Sequence, residues 1–392
     1  MINFFRCKKC LFPSTKPDLH FDDKGICGAC NYTDYYENEI DWKQKENEFL
    51  ELCSEIKSKK NNLDYYDCII AVSGGKDSTY QTYLATKIGG LNPLLVSFEP
   101  SWPTKVGIGN LENLKNNFNC DLIQLKKNLI VYKKLAKIGF EVVGDHEWPN
   151  HVGIYTWPLK MASRLNISLI LYGEPQGLIG QGRTQKLREI QRIDRDWFEE
   201  YVGMIGMRPT DMMEFDQTLN KKNMFPYIFP DDEYFEKSKI IPVFTGNYFK
   251  WDTREVISTI EKFGWQKSQE RVEGDYANYE DLDCGFMPIH QYFKFIKYGY
   301  ARATDHASYE IRHNRLTKKQ AKEYIIEYDS EFPKKYFKEF LNYLEISENK
   351  FFEIRDKFTN YELFETDNNL KLKKSKDNQL ILNNEWYKSF EI

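Results

Sequence analysis

Short apolar runs recur between residues 68 and 172: CIIAV at 68–72, PLLVSF at 93–98, DLIQL at 121–125 and SLILY at 168–172. Between them, apolar residues fall at helical spacing, as Tyr80, Tyr83, Leu84 and Ile88 do after the first run. Runs alternating with helical stretches predict βαβ units around a parallel sheet. The expected architecture is an α/β, doubly wound domain over residues 63–245, closed by the run at 240–244. Upstream, Trp42, Phe49, Leu52 and Ile56 approximate a helical stripe within a charged stretch, so 36–62 reads as a connecting helix. Beyond Trp251 the pattern turns mainly helical, with helices expected at 252–263, 288–298, 317–327 and 332–357. Residues 246–392 thus form a helical C-terminal region for substrate or partner, and the polar 366–379 suits a loose hairpin or a disordered tail.

Composition narrows the class. With 41% hydrophobic and 29% charged residues the chain falls in the folded, soluble range. No apolar run approaches the ~20 residues of a membrane span, and the N-terminus lacks the features of a secretory signal, so the expected location is the cytoplasm. The 55 basic and 59 acidic residues leave a net charge of −4, which supplies no global field for nucleic acid.

The first run leads into Ser73-Gly74-Gly75-Lys76-Asp77-Ser78-Thr79 and then into the helical stripe. The glycines allow a tight turn, and the helix start offers unpaired N–H groups and a partial positive charge, which together make an anion cradle. Ser73, Ser78 and Thr79 can add hydroxyl donors, and Lys76 can neutralise charge developing on phosphate oxygens. Asp77 suits Mg²⁺ or phosphate chemistry, or else simply stabilises the helix dipole. A Walker A loop is excluded, because Asp77 follows Gly75-Lys76 and position 70 is Ile70. The string resembles the PP-loop of the ATP-pyrophosphatase superfamily, which implies cleavage of ATP to AMP and pyrophosphate.

Four of the eight cysteines form two Cys-x-x-Cys pairs, Cys7 with Cys10 and Cys27 with Cys30, at the spacing of a tetrahedral zinc site. Four thiolates close the shell, so a metal there is structural and residues 1–35 form a zinc-binding module. An iron–sulfur cluster or unliganded thiols are the alternatives.

Three further segments, HVGIYTWP at 151–158, LILYGE at 169–174 and KYGYARATDHAS at 297–308, resemble the N-acetyl sugar amidotransferase family of surface-polysaccharide and nonulosonic-acid pathways. That resemblance implies ATP-dependent conversion of a sugar acetamido group to an acetamidino group. Transfer of AMP to the amide oxygen gives an O-adenylyl imidate that ammonia attacks. ATP, Mg²⁺ and a structural Zn²⁺ are the implied cofactors. Glu174, at a strand end, is a Mg²⁺ or ribose contact or an exposed carboxylate. His290, Lys294 and Lys297 share one helical face that meets an anionic sugar or is merely solvated. Arg302 or Arg312 is expected to bind carboxylate or phosphate, and Asp305 or His306 to accept the proton lost by ammonia. Asp305 also reads as a helix-start residue, and His146 and His151 are weaker candidates, a lone histidine near Trp148 and Pro149 being more often a packed side chain than a catalyst.

The remaining cysteines fit no glutaminase nucleophile. The resemblance therefore implies a separate glutaminase subunit, alone or with a cyclase-like companion, to supply the ammonia. Two rival readings stay open: a PP-loop tRNA thiolase, and a non-catalytic zinc-ribbon adaptor that would leave the loop idle.

Overall fold

The computed structural model describes residues 4–59, 65–173, 204–230, 233 and 239–391. Its centre is a parallel sheet of β1 (Cys68–Ala71), β2 (Pro93–Phe98), β3 (Asp121–Leu125), β4 (Leu169–Tyr172) and β5 (Ile241–Phe244), in the order β3-β2-β1-β4-β5. Side chains alternate between two cores. Ile69, Leu94, Val96, Ile170 and Tyr172 face one of them, while Cys68, Ile70, Leu95, Leu169 and Leu171 face the other. A sheet buried on both faces explains why the central strands read as unbroken apolar runs. Pro242 cannot donate to a ladder, and it lies on β5 at the sheet edge, where that loss is tolerated.

One face is covered by α2 (Trp42–Ser58) and α4 (Lys105–Phe118), the other by α5 (Leu129–Val143) and α6 (Trp148–Leu165). Gly153 lets α6 lie against β2: a Cβ there would stand 2.4 Å from the Phe98 ring. The strand order reverses between β1 and β4, and such a switch point opens a crevice at the carboxyl ends of both strands. Into that crevice runs α3 (Lys76–Tyr83), whose amino end follows β1.

After α7 (Pro209–Phe215), α8 (Thr253–Ile260) begins the helical region, followed by α9 (Met287–Tyr298), α10 (Arg302–Arg312) and α11 (Lys318–Tyr328). The single helix expected over 332–357 divides into α12 (Phe337–Leu344) and α13 (Glu348–Phe358). Glu345 adopts a left-handed conformation at φ 54° and Ser347 accepts from the Lys350 N–H, so the chain stops one helix and caps the next within four residues. Helix α10 starts at Arg302, after Ala301, which places Asp305 within the first turn rather than at the cap. The stretch 366–379 is ordered by antiparallel bridges Thr366 to Leu372 and Lys374 to Leu380, closer to the hairpin expectation than to the tail.

Residues 4–38 fold around the cysteines and end in α1 (Gly28–Asn38). They rest on the last helix, α14 (Asn384–Lys388). The Arg6 guanidinium lies over the Phe390 ring at 4.0 Å, its Nε donates to Ser389 Oγ at 3.0 Å, and Trp386 Nε1 donates to the Gly299 carbonyl at 2.7 Å. No helix among the described residues is long and apolar enough to cross a membrane.

Candidate nucleotide site and cysteine centre

The loop after β1 is built around Gly74, whose φ of +88° excludes most side chains and whose added Cβ would meet the Gly107 carbonyl at 2.7 Å. Trp265 Nε1 donates to the Gly74 carbonyl at 3.2 Å, fixing the turn from above. Gly75 is the N-cap of α3, so the unpaired N–H groups of that helix face the crevice. Gln81, one turn further along, donates to the Leu171 carbonyl at 3.2 Å and accepts from the Gly173 N–H at 2.9 Å, tying α3 to the end of β4.

A cavity of about 370 Å³ opens beside this loop. Ser73, Asp77, Ser78, Tyr155 and Asp283 are among the residues lining it. Thr79 lies apart from that wall. It is buried, and its hydroxyl donates back to the Gly75 carbonyl at 2.9 Å. Asp77 Oδ1 accepts from Trp251 Nε1 at 3.2 Å. Glu174 falls outside the described residues.

Lys76 is 3% exposed, and its Nζ lies 2.7 Å from both Asp77 Oδ2 and Glu280 Oε1. Burial opposes ionisation of Glu280, but Lys76, His306 and Arg302 outweigh it and hold the carboxyl below its usual range. His306 joins the same network, with Nε2 3.9 Å from Glu280 and Nδ1 2.7 Å from Asp275. Burial would lower its pKa, yet the two carboxylates raise it to about 10. At neutral pH His306 is therefore a cation beside the loop lysine. Asp283 behaves oppositely: burial, reinforced by Asp281, pushes its carboxyl up to about 7.

The remaining candidates are distributed around this centre. Asp305 is buried and ion-paired with Lys294 and, at 3.6 Å, with Lys16. Arg302 grips Asp281 with two bonds, of 2.9 and 3.2 Å. Arg312 is buried against the Phe12 ring at 5.2 Å, where its charge favours the Cys10 thiolate. The face of α9 bearing His290, Lys294 and Lys297 is occupied rather than solvated. His290 Nδ1 lies 2.9 Å from Asp145, Lys294 meets Asp305, and Lys297 Nζ donates to the carbonyls of Val143 and Gly144 at 2.8 and 2.9 Å.

Sequence reasoning missed Glu280, Asp275 and Asp283. All three lie between α8 and α9, in a segment without periodicity, and four acids in its run of residues 275–283 are the one signal it offered.

The four cysteines converge in a buried cluster. Their sulfurs stand 3.8 Å (Cys7 to Cys30), 3.5 Å (Cys10 to Cys27) and 3.7 Å (Cys27 to Cys30) apart. Four sulfurs at ~2.3 Å from one ion would be separated by about 3.75 Å, whereas a disulfide needs ~2.05 Å. Backbone N–H groups of Lys9 and Cys27 point at the Cys7 sulfur at 3.4 and 3.2 Å, the polarity that suits a thiolate. The arrangement fits a metal centre.

Comparison with known proteins adds three findings. Residues 257–376 match the family model for the C-terminal domain of WbpG-like LPS biosynthesis proteins. A stretch of 124 residues is 31% identical to an uncharacterised protein of Methanocaldococcus jannaschii, covering 31% of this chain and 43% of that protein. The match thus spans less than half the length of that curated relative. Among solved structures, the U34-tRNA thiolase NcsA from Methanococcus maripaludis, determined with its 4Fe–4S cluster, covers 80% of this chain and 88% of its own at 13% identity and a TM-score of 0.31. That likeness is too distant to bear on the site. The WbpG-like match contains the whole 297–308 string, whose His306 lies 3.9 Å from Glu280 beside the loop lysine, and it supports the resemblance to the N-acetyl sugar amidotransferase family.

Proposed function

We propose that the chain is an ATP-dependent, AMP-forming amidotransferase that converts an acetamido group of a bacterial surface sugar to an acetamidino group. The observation that carries this reading is the pairing of two parts in one network: the loop lysine Lys76, and His306 of the WbpG-like domain, linked through Glu280. An ATP phosphate arriving at the amino end of α3 would draw Lys76 from its carboxylates toward the new charge. Asp77 and Ser78, which line the cavity, suit Mg²⁺ and phosphate oxygens, and the cysteine spacing suits a structural Zn²⁺.

The chemistry then divides into two displacements. The amide oxygen attacks the α-phosphate and expels pyrophosphate, leaving an O-adenylyl imidate. Ammonia adds to the imidate carbon, and AMP leaves with the C–O electron pair as the new C–N bond is completed. The attacking nitrogen must lose a proton. Asp283 lines the cavity and titrates near neutrality, so it suits that role better than Asp305, which is held by Lys294, or His306, which is already protonated.

The test is incubation with ATP, Mg²⁺, an ammonium salt and a panel of acetamido sugars, with AMP and the product masses followed. The expected result is AMP formation coupled to a product lighter by about one dalton, abolished in Lys76→Ala. AMP released without any nitrogen incorporation, or unchanged turnover in Lys76→Ala, would overturn the reading.

A further inference from the structure

A second set of metal-ligating side chains converges away from the cysteines. Asp145 lies in the turn between α5 and α6, His151 in the first turns of α6 and His290 near the start of α9. One ligand atom from each comes within 4.8 Å of the other two. His290 Nδ1 is 2.9 Å from Asp145 Oδ1, and His151 Nδ1 is 3.5 Å from Asp145 Oδ2. Nitrogen and oxygen ligands at ~2.1 Å from one tetrahedral ion stand about 3.4 Å apart, between those two separations.

A proton shared by His290 and Asp145 accounts for the shorter contact alone. It leaves His151 Nδ1 buried, aimed at the carboxylate and without a hydrogen-bond partner. A cation would satisfy all three groups at once. Asp145 is 3% exposed, so its carboxylate is fixed, while the imidazoles of His151 and His290 remain 24% and 22% exposed and reachable.

We propose that Asp145, His151 and His290 form a second metal site, distinct from the cysteine centre, which takes a divalent transition ion of the Zn²⁺ class. Two imidazoles and one carboxylate suit Zn²⁺ and its neighbours in the first row better than Mg²⁺ or Ca²⁺. Three protein ligands leave a coordination position open, as catalytic rather than structural sites do. That position lies on a meaningful side of α6. His151 shares a helix face with Ile154 and Tyr155, three and four residues on, and both line the cavity beside the nucleotide loop. The ligand suited to the open position is a small oxygen or nitrogen donor entering from that cavity, such as water, a carboxylate or ammonia.

The proposal is independent of the reaction assigned above, and its test measures metal rather than turnover. Untagged full-length protein is stripped with a chelator and titrated with Co²⁺ while its absorption spectrum is followed. The expected result is about two bound ions, one with the intense sulfur-to-cobalt charge-transfer band of a thiolate site and one with only the weak ligand-field bands of nitrogen and oxygen ligands. His151→Gln and His290→Gln should each lose the second ion, and the retained thiolate band reports that the variant has folded. A single thiolate-bound ion in the unaltered protein would overturn the proposal, as would undiminished binding in both variants. If the thiolate band is absent, the cysteine reading fails while the second ion still decides this one.

Discussion

Lys76 Nζ lies between the carboxylates of Asp77 and Glu280, and Glu280 links it to His306. His306 shows a pH signature of its own. Its folded pKa of about 10 exceeds the unfolded value of about 6.5, so its charge stabilises the fold fully below about pH 6.5 and ceases to do so as pH rises through about 10. The melting-temperature gap between the unaltered protein and His306→Gln should therefore be widest near pH 6 and close toward pH 10; a gap that is constant with pH would mean that His306 acts by packing alone. Asp283 has the reverse character, since its raised pKa makes the charged form a burden on folding that grows from about pH 4 to about pH 7. In the proposed reaction, amidine formation should rise through about pH 7 and lose that limb in Asp283→Asn, with a fall of about 10²-fold or more at the plateau. Retention of the limb in that variant would assign the proton to another group.

At the level of elements, the contact of α6 with β2 decides how the cavity wall is placed. Gly153→Ala would drive a methyl group into the Phe98 ring, and overpacking of this kind costs about 1–3 kcal/mol. A denaturant midpoint lowered to that extent, with an unchanged slope, is the expected measurement. The strands and the glycine loop after β1 were legible in the sequence because burial on both faces and a turn of fixed glycine geometry each leave a local trace. The division at Ser347 was less legible, since one serine cap was outweighed by the apolar period on either side of it. The partners of the loop were not legible at all. Glu280, Asp275 and Asp283 come from an irregular segment whose placement depends on tertiary contacts, such as the Thr104 hydroxyl donating to the Leu282 carbonyl. Likewise nothing local relates His151 to His290, 139 positions later.

Across the whole molecule, the supply of nitrogen sets the remaining expectation. A glutaminase nucleophile needs a thiol activated toward thiolate, yet burial pushes Cys53 and Cys120 up to about 11, and burial with Glu147 and Asp283 pushes Cys284 well above its ordinary range. The isolated chain should accordingly use an ammonium salt at alkaline pH and remain inert with glutamine until a separate glutaminase is added. Glutamine-driven turnover by this chain alone would place the ammonia source within it.

The clasp between Arg6 and Ser389 joins positions 383 residues apart. A ribosome builds the chain from its amino end, so the cysteine-bearing segment emerges long before the residues that receive its buried guanidinium. A part made early is thus finished late. Any message cut short before Ser389 would yield a protein whose Arg6 has lost that hydroxyl acceptor and the Phe390 ring that covers it.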